Sequence, residues 1–180
     1  MLRGRRVLLR RFRPEDTDDV FEYASDPAVT RAAGWEPHRS PFDSMDYIQR
    51  ALASHMGPVT FAVEHIDHGK VIGVVDLRVV SRLWGLGEIG YTLARRYWGR
   101  GHNVEAGQLL LDYGFDELRL RRIRAVCDPL NRRSYRTMEK LGMAREPQPV
   151  VAADRQGRRV ERVAYSILRT EWSRRGCQAA

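Results

Sequence analysis

Hydrophobic positions along the chain follow two periods, and the places where the period changes divide it into elements. Residues 5–11, an apolar run flanked by arginines, predict a first strand that stops at Arg13-Pro14. Pro14 suits the first turn of a helix, and Glu15, Asp16, Asp18 and Asp19 favour a helix N-terminus there. This helix turns Val20, Phe21 and Ala24 inward and is expected to end near Asp26-Pro27. A second helix is predicted from Ser40-Pro41, with Asp43 in its first turn and Met45, Ile48 and Leu52 at i, i+3 and i+7. The intervening AAGWEPHRS (32–40) reads as a loop, either a connector or a lid. After Gly57-Pro58 the period becomes two: a strand at 60–66, a turn at 67–70, a strand at 71–80 and another at 85–93. The first half of 71–80 is apolar on both faces, which predicts a sheet covered on both sides. The turn ARRYWGRGH leads into a helix at 103–118, with Val104, Leu110, Leu111, Phe115 and Leu118 at helical spacing. A strand at 122–128 and a helix at 131–142 that stops at Gly142 follow. Strands at 150–153 and 160–168, joined by the turn 154–157, close the pattern.

The expected fold is α/β (α+β): a single domain over residues 1–172 with a mixed sheet flanked by helices, and a frayed tail over 173–180. The chain has 180 residues, enough for one ordinary domain, and 43% of them are hydrophobic. No apolar run reaches the roughly 18 residues a membrane span requires. The basic N-terminus lacks a signal peptide's apolar centre and cleavage site, so a cytoplasmic protein is expected. Cys127 and Cys177 are too few for a disulfide framework, and no CxxC or HxxxH spacing predicts a metal site. The formal charge of +8 rests almost wholly on arginine, because Lys70 and Lys140 are the only lysines. That excess either meets an anion or reflects codon bias.

The sharpest local chemistry is RRYWGRGHN at 95–103, between a strand and a helix. Gly99 and Gly101 permit positive φ and a close ligand approach. Successive amides in such a turn, with the free N–H groups of the next helix, make a nest for phosphate. Arg95, Arg96 and Arg100 add fixed charge beside it. A tight structural turn is the alternative. The Walker A pattern is absent, and Val104 stands where a dinucleotide fingerprint needs a third small residue.

Arg96-x-x-Gly99-x-Gly101 ahead of a helix resembles the [QR]xxGx[GA] pyrophosphate turn of GNAT-family N-acetyltransferases. LLRRFRPEDTDDVFEYASDPAVTR, GEIGYTL, WGRGHNVEA, Asn131-x-x-Ser134, EKLGM and VAYSILRTEW extend the resemblance across nearly the whole chain, toward the ribosomal-protein-alanine acetyltransferase branch. The resemblance implies a largely antiparallel sheet splayed between strands 86–93 and 122–128, with acetyl-CoA bound in the opening. The pantetheine arm would lie along Tyr91, Thr92 and Leu93. The diphosphate would sit on the amides of Arg96, Trp98, Gly99, Arg100, Gly101, His102 and Asn103. Asn131 would contact the pantetheine arm and Ser134 would lie near the sulfur. Many members use a tyrosine as the thiolate's proton donor, but Met138 occupies that place here. The branch then points to Ser134, with Tyr135 ranked below it because it faces about 100° away on the helix. Members are often homodimers, and the hairpin over 150–168 offers an edge for one.

Transfer to an amine requires a neutral nitrogen, a stabilised oxyanion and a protonated leaving thiolate. An α-amine with a pKa of about 7.7–8.0 is roughly a tenth to a fifth neutral at pH 7, against about one in 2,500 for a lysine. Glu88, Glu146 and Asp154 are the candidate bases. Strand alternation places Glu88 with Gly90 and Thr92, where it serves either as a base or as an ion-paired carboxylate. The branch's own glutamate base would fall near Ala153, a departure. Trp35, Tyr47 and Trp84 line an acceptor groove or belong to the core. The leading expectation is an acetyl-CoA-dependent N-acetyltransferase acting on a protein N-terminal α-amine or a small amine. The alternatives are a silent CoA-binding sensor and a basic nucleic-acid-binding or ribosome-binding module. The last lacks an aromatic ribonucleoprotein strand or a groove-reading basic helix.

Overall fold

The computed structural model of the protein describes residues 1–53, 58–153 and 157–176. The chain forms two compact units, Met1–Asp76 with Tyr91–Leu109, and Leu77–Gly90 with Leu110–Ala180. Strands β4 (Lys70–Ser81) and β5 (Leu86–Leu93) and helix α4 (His102–Asp112) contribute residues to both.

In the first unit, β1 (Leu2–Arg3) and β2 (Val7–Arg10) pair antiparallel, and β2 pairs antiparallel with β3 (Val59–His65). The start of β4 follows β3 in the sheet, then the end of β5. Val71, Ile72, Val74 and Val75 are all buried, as expected for a strand with both faces covered. A 3-10 turn at Pro14–Asp16 precedes α1 (Thr17–Ala24). Arg10 is only 6% exposed yet fully engaged: its Nη atoms donate to the two Asp16 oxygens at 2.8 Å and its Nε donates to Glu64. A buried guanidinium is tolerable only when paired in this way.

Asp26-Pro27 does not merely end α1. It starts a helix the sequence pattern missed, α2 (Pro27–Ala33), with the Asp26 carboxylate accepting from the Ala28 amide at 2.8 Å and Pro27 in the first turn. Gly34 closes α2 with φ of 84°, so the segment read as a loop from residue 32 begins in helix. α3 (Pro41–Ala53) starts where predicted and buries Ile48. Trp35 stacks on Tyr47 at 6.2 Å and meets Tyr23 edge-on at 6.5 Å.

In the second unit, β6 (Arg122–Cys127) lies between β5 and β9 (Arg159–Leu168), while the two-residue β7 (Ala144–Arg145) and β8 (Val150–Ala153) pair with β9. The β6–β9, β7–β9 and β8–β9 pairings are antiparallel. β5 and β6 run parallel, from Leu86↔Arg122 to Ile89↔Ala125, and the ladder stops there although β5 continues to Leu93. The mixed sheet, mostly antiparallel and flanked by helices, is the expected fold class. Helix α4 passes into a π turn at Tyr113–Glu117, which buries Phe115. α5 (Arg132–Lys140) buries Met138, so that residue belongs to the core. The tail expected to fray from residue 173 is helical as far as 176, within α6 (Arg169–Gly176). Trp172 anchors α6 by donating its indole N–H to Asp112 at 2.8 Å.

Gly73 of β4 leaves no room for a side chain against the end of β5. A Cβ there would lie 2.1 Å from the Thr92 carbonyl oxygen and 2.9 Å from the Leu93 Cα. Neither backbone atom can swing aside as a flexible side chain would. Gly73→Ala is therefore expected to destabilise the protein by about 3 kcal/mol. Urea melts check this, and a loss below about 1 kcal/mol would show that the strands separate cheaply at Thr92.

Candidate functional site

The glycine turn lies wholly in the first unit. A 3-10 turn at Arg95–Tyr97 ends at Trp98, whose indole N–H donates to the Leu93 carbonyl at 2.8 Å. That bond folds the turn back onto the end of β5. Gly99 and Gly101 then take φ of 73° and 84°, the left-handed region that a Cβ disfavours. No atom lies within 4 Å of a Cβ built at Gly99, so this side of the turn is open. α4 begins at His102, and its first intrahelical bond runs from the Glu105 amide to the Gly101 carbonyl. The amides of residues 102–104 precede that bond and have no intrahelical acceptor. Asn103 Oδ1 and His102 Nδ1 are buried and unpartnered among the described residues. Free amides at the head of a helix, beside two left-handed glycines of which Gly99 is open, suit an anionic ligand.

What holds the turn in place was not apparent from the sequence. The Glu105 carboxylate accepts from the Arg6 amide at 2.7 Å, the Val7 amide at 3.3 Å and Arg6 Nε at 2.8 Å. Arg6 Nη1 in turn donates to the Arg100 carbonyl at 2.9 Å. Burial opposes the Glu105 charge, but the Arg6 and Val7 donors outweigh it and hold its carboxyl below the usual range.

The turn's side chains also border a cavity of about 390 Å³ lined by His68, Lys70, Arg96, Tyr97 and Arg100. Arg96 pairs with Glu22 at 3.1 Å and lies over the Tyr97 ring, 5.0 Å from its centroid. Lys70 pairs with the same Glu22, and with Asp19 at 3.5 Å. Behind the cavity His65 stacks on His68 at 4.1 Å, and His102 lies 5.2 Å from His65. Burial pushes the His102 imidazole below its ordinary pKa; Arg6 and His65 act the same way, while a hydrogen bond to the Tyr97 backbone opposes them. His102 is thus neutral near pH 7, which leaves its backbone amide as its contribution to the turn.

Tyr91, Thr92 and Leu93 end β5 in the first unit, whereas Asn131, Ser134, Glu88 and Glu146 belong to the second. Asn131 caps α5, its Oδ1 accepting from the Ser134 amide at 3.1 Å. This fixes the first turn that carries Ser134, which is 9% exposed. The Ser134 hydroxyl hydrogen-bonds to the Cys127 thiol; burial pushes that thiol's pKa up and the serine partly opposes the shift. Cys127 is a residue that sequence reasoning considered only for disulfides. Tyr135 turns away, as its helical position predicts, and donates its hydroxyl to the Pro129 carbonyl.

Glu88 does not stand as a free carboxylate. Arg78 Nη2 donates to one of its oxygens and Arg124 Nε to the other, both at 2.8 Å. Glu146 is likewise held, by Arg122 at 2.7 Å. Asp154, the third candidate, lies outside the described residues, as do His55 and Cys177. Trp84 is 73% exposed on the β4–β5 hairpin, apart from any groove-lining cluster. Among the described residues no group of acidic, histidine or cysteine side chains is arranged to hold a metal ion, and no helix is long and apolar enough to cross a membrane.

A profile for the Acetyltransferase (GNAT) domain matches residues 6–144. The uncharacterized N-acetyltransferase p20 of Bacillus licheniformis is 32% identical over 172 residues, covering 93% of this chain and 96% of that protein. Spermidine N(1)-acetyltransferase of Escherichia coli K12 is 26% identical over 140 residues, covering 78% of this chain and 74% of that protein. The crystal structure of a GNAT-family acetyltransferase from Bacillus anthracis superposes with a TM-score of 0.82 at 30% identity, covering 94% of this chain and 99% of that one.

The Glu105 clamp has a pH signature. Because the folded pKa is depressed, its stabilisation is complete above the unfolded value of about 4.3 and is lost as pH falls through the lower folded value. Glu105→Gln is expected to cost about 2 kcal/mol at pH 7, with the gap to wild type closing below about pH 4. Denaturant melts at pH 7 and pH 3.5 check this; a gap of equal size at both would remove the charge from the account.

Proposed function

This chain belongs to the GNAT acetyltransferase family and is an N-acetyltransferase, and we propose that it moves an acetyl group from acetyl-CoA directly to a primary amine. The observation that carries this reading is the turn at 99–101: two left-handed glycines, open at Gly99, ahead of a helix whose first amides have no intrahelical acceptor. Such a nest suits a diphosphate, and the GNAT family takes its acetyl group from a donor that carries one. In this reading Gly99, Arg100, Gly101, His102 and Asn103 hold the diphosphate through their backbone amides, with that of Arg96 at the edge; the Trp98 amide, also expected there, donates instead to the Arg95 carbonyl. Tyr91, Thr92 and Leu93 offer a strand edge to the pantetheine arm, and Asn131 contacts the same arm. When bound, the donor supplies a thioester carbonyl open to nucleophilic attack.

The reaction balances as follows. The acceptor nitrogen forms a bond to the acetyl carbon, the carbon–sulfur bond breaks, the nitrogen loses a proton and the departing thiolate gains one. We assign the donation to that thiolate to Ser134, the serine of Asn131-x-x-Ser134 at the start of α5, whose hydroxyl would leave Cys127 to make it. Glu88 is a candidate base by its place on the strand, but both of its oxygens already accept hydrogen bonds from guanidinium groups. We therefore assign it to organising Arg78 and Arg124. No strong base is needed if the acceptor nitrogen is already partly neutral, which favours an α-amine over a lysine side chain. A ribosomal-protein α-amine satisfies that condition, as does an amino acid or a small peptide.

Two measurements test this. Acetyl-CoA at saturating concentration is expected to raise the melting temperature by several degrees, and no shift at millimolar concentration would remove the donor from the reading. Ser134→Ala is expected to lower kcat at least tenfold while changing the acetyl-CoA Kd less than threefold. Parallel losses would reduce Ser134 to a cofactor contact.

A further inference from the structure

The second unit carries one sheet face lined with arginine–carboxylate pairs. Along β4, β5, β6 and β9 the alternate side chains Leu77, Ile89, Ile123, Ala125 and Ile167 are buried. The positions between them carry Arg78, Glu88, Arg122, Arg124 and Ser166. These are not scattered charges. Arg78 and Arg124 clasp Glu88 from both sides, and Glu88 and Arg124 are direct partners in the parallel ladder. Arg122 donates to the Ser166 hydroxyl at 3.0 Å and to Glu146 at 2.7 Å. Three guanidiniums meet two carboxylates here, and Asp76, two positions before Arg78 in β4, carries a third on the same side of the strand. The guanidiniums are the groups presented outward, because the Arg78 and Arg122 side chains are 58% and 45% exposed whereas those of Glu88 and Glu146 are 21% and 18% exposed.

Position gives the row its meaning. The Glu88↔Arg124 pair is one step before Ile89↔Ala125, where the β5–β6 ladder ends. The family resemblance implies that acetyl-CoA enters the opening between β5 and β6, and in that reading the thioester would lie at this end of the ladder. An amine approaching over this face therefore meets arginines before it meets the acetyl group. A second cation on the acceptor would be repelled and would find the nearby carboxylates already committed to guanidiniums. An oxyanion on the acceptor would be drawn in and could accept paired hydrogen bonds from a guanidinium.

We propose that the acceptor is a primary amine bearing a nearby carboxylate or phosphate, and that Arg78 and Arg122 select for that anion. The inference rests on the acetyl-donor reading above but adds the chemical class of the acceptor. Arg78 and Arg122 are specificity residues here; neither transfers a proton.

The test is a thiol-release assay with acetyl-CoA at pH 8 and low salt. One arm uses alanyl tripeptides ending in two aspartates, two glycines or two lysines, whose α-amines are closely matched. A second compares O-phosphoethanolamine with ethanolamine, and spermidine is the polycation. The expected result is a kcat/KM at least tenfold higher for the aspartate peptide or for phosphoethanolamine than for its neutral counterpart. The lysine peptide and spermidine should fall below neutral. The arm that responds tells carboxylate from phosphate. The preference should shrink at 0.5 M salt, and Arg78→Glu and Arg122→Glu should each cut it at least threefold. Arg78→Gln, which adds no new charge, should cut it less than Arg78→Glu does. The proposal is overturned if spermidine or the lysine peptide is preferred, or if the preference survives both charge reversals. It is also overturned if acetyl-CoA raises the melting temperature but no anionic amine is acetylated. An unmoved melting temperature instead removes the donor reading itself, so the two failures are told apart.

Discussion

The glycine turn depends on one carboxylate that is far from it in sequence. Glu105 receives the Arg6 amide and the Arg6 guanidinium across 99 positions of chain, and Arg6 then reaches the Arg100 carbonyl between the two glycines. Left-handed glycines are conformationally cheap but have no side chain to hold them. Without an external tether the turn would sample many backbone states, and a diphosphate would have to order it on binding. The Arg6–Glu105 clamp meets that entropic demand during folding. It also sets the orientation of α4, because Glu105 lies in the helix's first turn. The anion nest and the first helical turn are therefore one mechanical piece, anchored to the second strand.

A different economy of charge governs the second unit. Two of the three carboxylates that sequence reasoning offered as bases are engaged by arginines, Glu88 on both oxygens and Glu146 on one. In the proposed reading neither transfers a proton, and the demand falls on the acceptor. An enzyme without a strong base works best on a nitrogen that ionises near neutrality, and the arginine row then favours an acceptor with an anion close by. Both demands are met by the same molecules: amines whose own pKa is low and whose scaffold carries an oxyanion. The two arguments use different physics, proton affinity in one case and Coulomb attraction in the other, and they converge.

Most of the fold could be read from local pattern because most of it is local. The strands read at 71–80 and 85–93 and the Pro-led start of α3 lie within one or two residues of what forms, while at Pro14 a 3-10 turn precedes α1 by three residues. The failures share a cause. α2 was missed because Asp26-Pro27 was taken as a stop, although Asp followed by Pro also caps and starts a helix, and Gly34 supplies its end. β7 is only two residues long and exists because β9 pairs with it. α6 is held by Trp172 on Asp112, sixty positions away in sequence. For the turn, the left-handed pair Gly99 and Gly101 is legible as glycine spacing. The Arg6 tether, the Cys127 partner of Ser134 and the double clasp on Glu88 are not. Each is a tertiary pairing of residues whose types are unremarkable alone, and strand register, not sequence proximity, brings Glu88 to Arg124.

The arginine excess can now be divided by what each guanidinium does. Arg10 is a buried strut between Asp16 and Glu64, and Arg6 is a tether. Arg162 pairs with Asp128 and Arg169 with Asp116. Arg78, Arg122 and Arg124 form the ladder with Glu88 and Glu146. These roles demand the guanidinium's geometry: planar, forked donors that satisfy two acceptors at once, as Arg6 and Arg10 both do. Lysine, a single flexible point charge, could not replace them. A surface evolved to hold a nucleic-acid backbone would instead leave its cations unpaired and facing outward along a stripe. Many of the basic side chains here are matched to acids of the same chain. The net charge of +8 is therefore what remains after a structural network, and the arginines presented outward on the second unit's sheet fit the selection of a small anion.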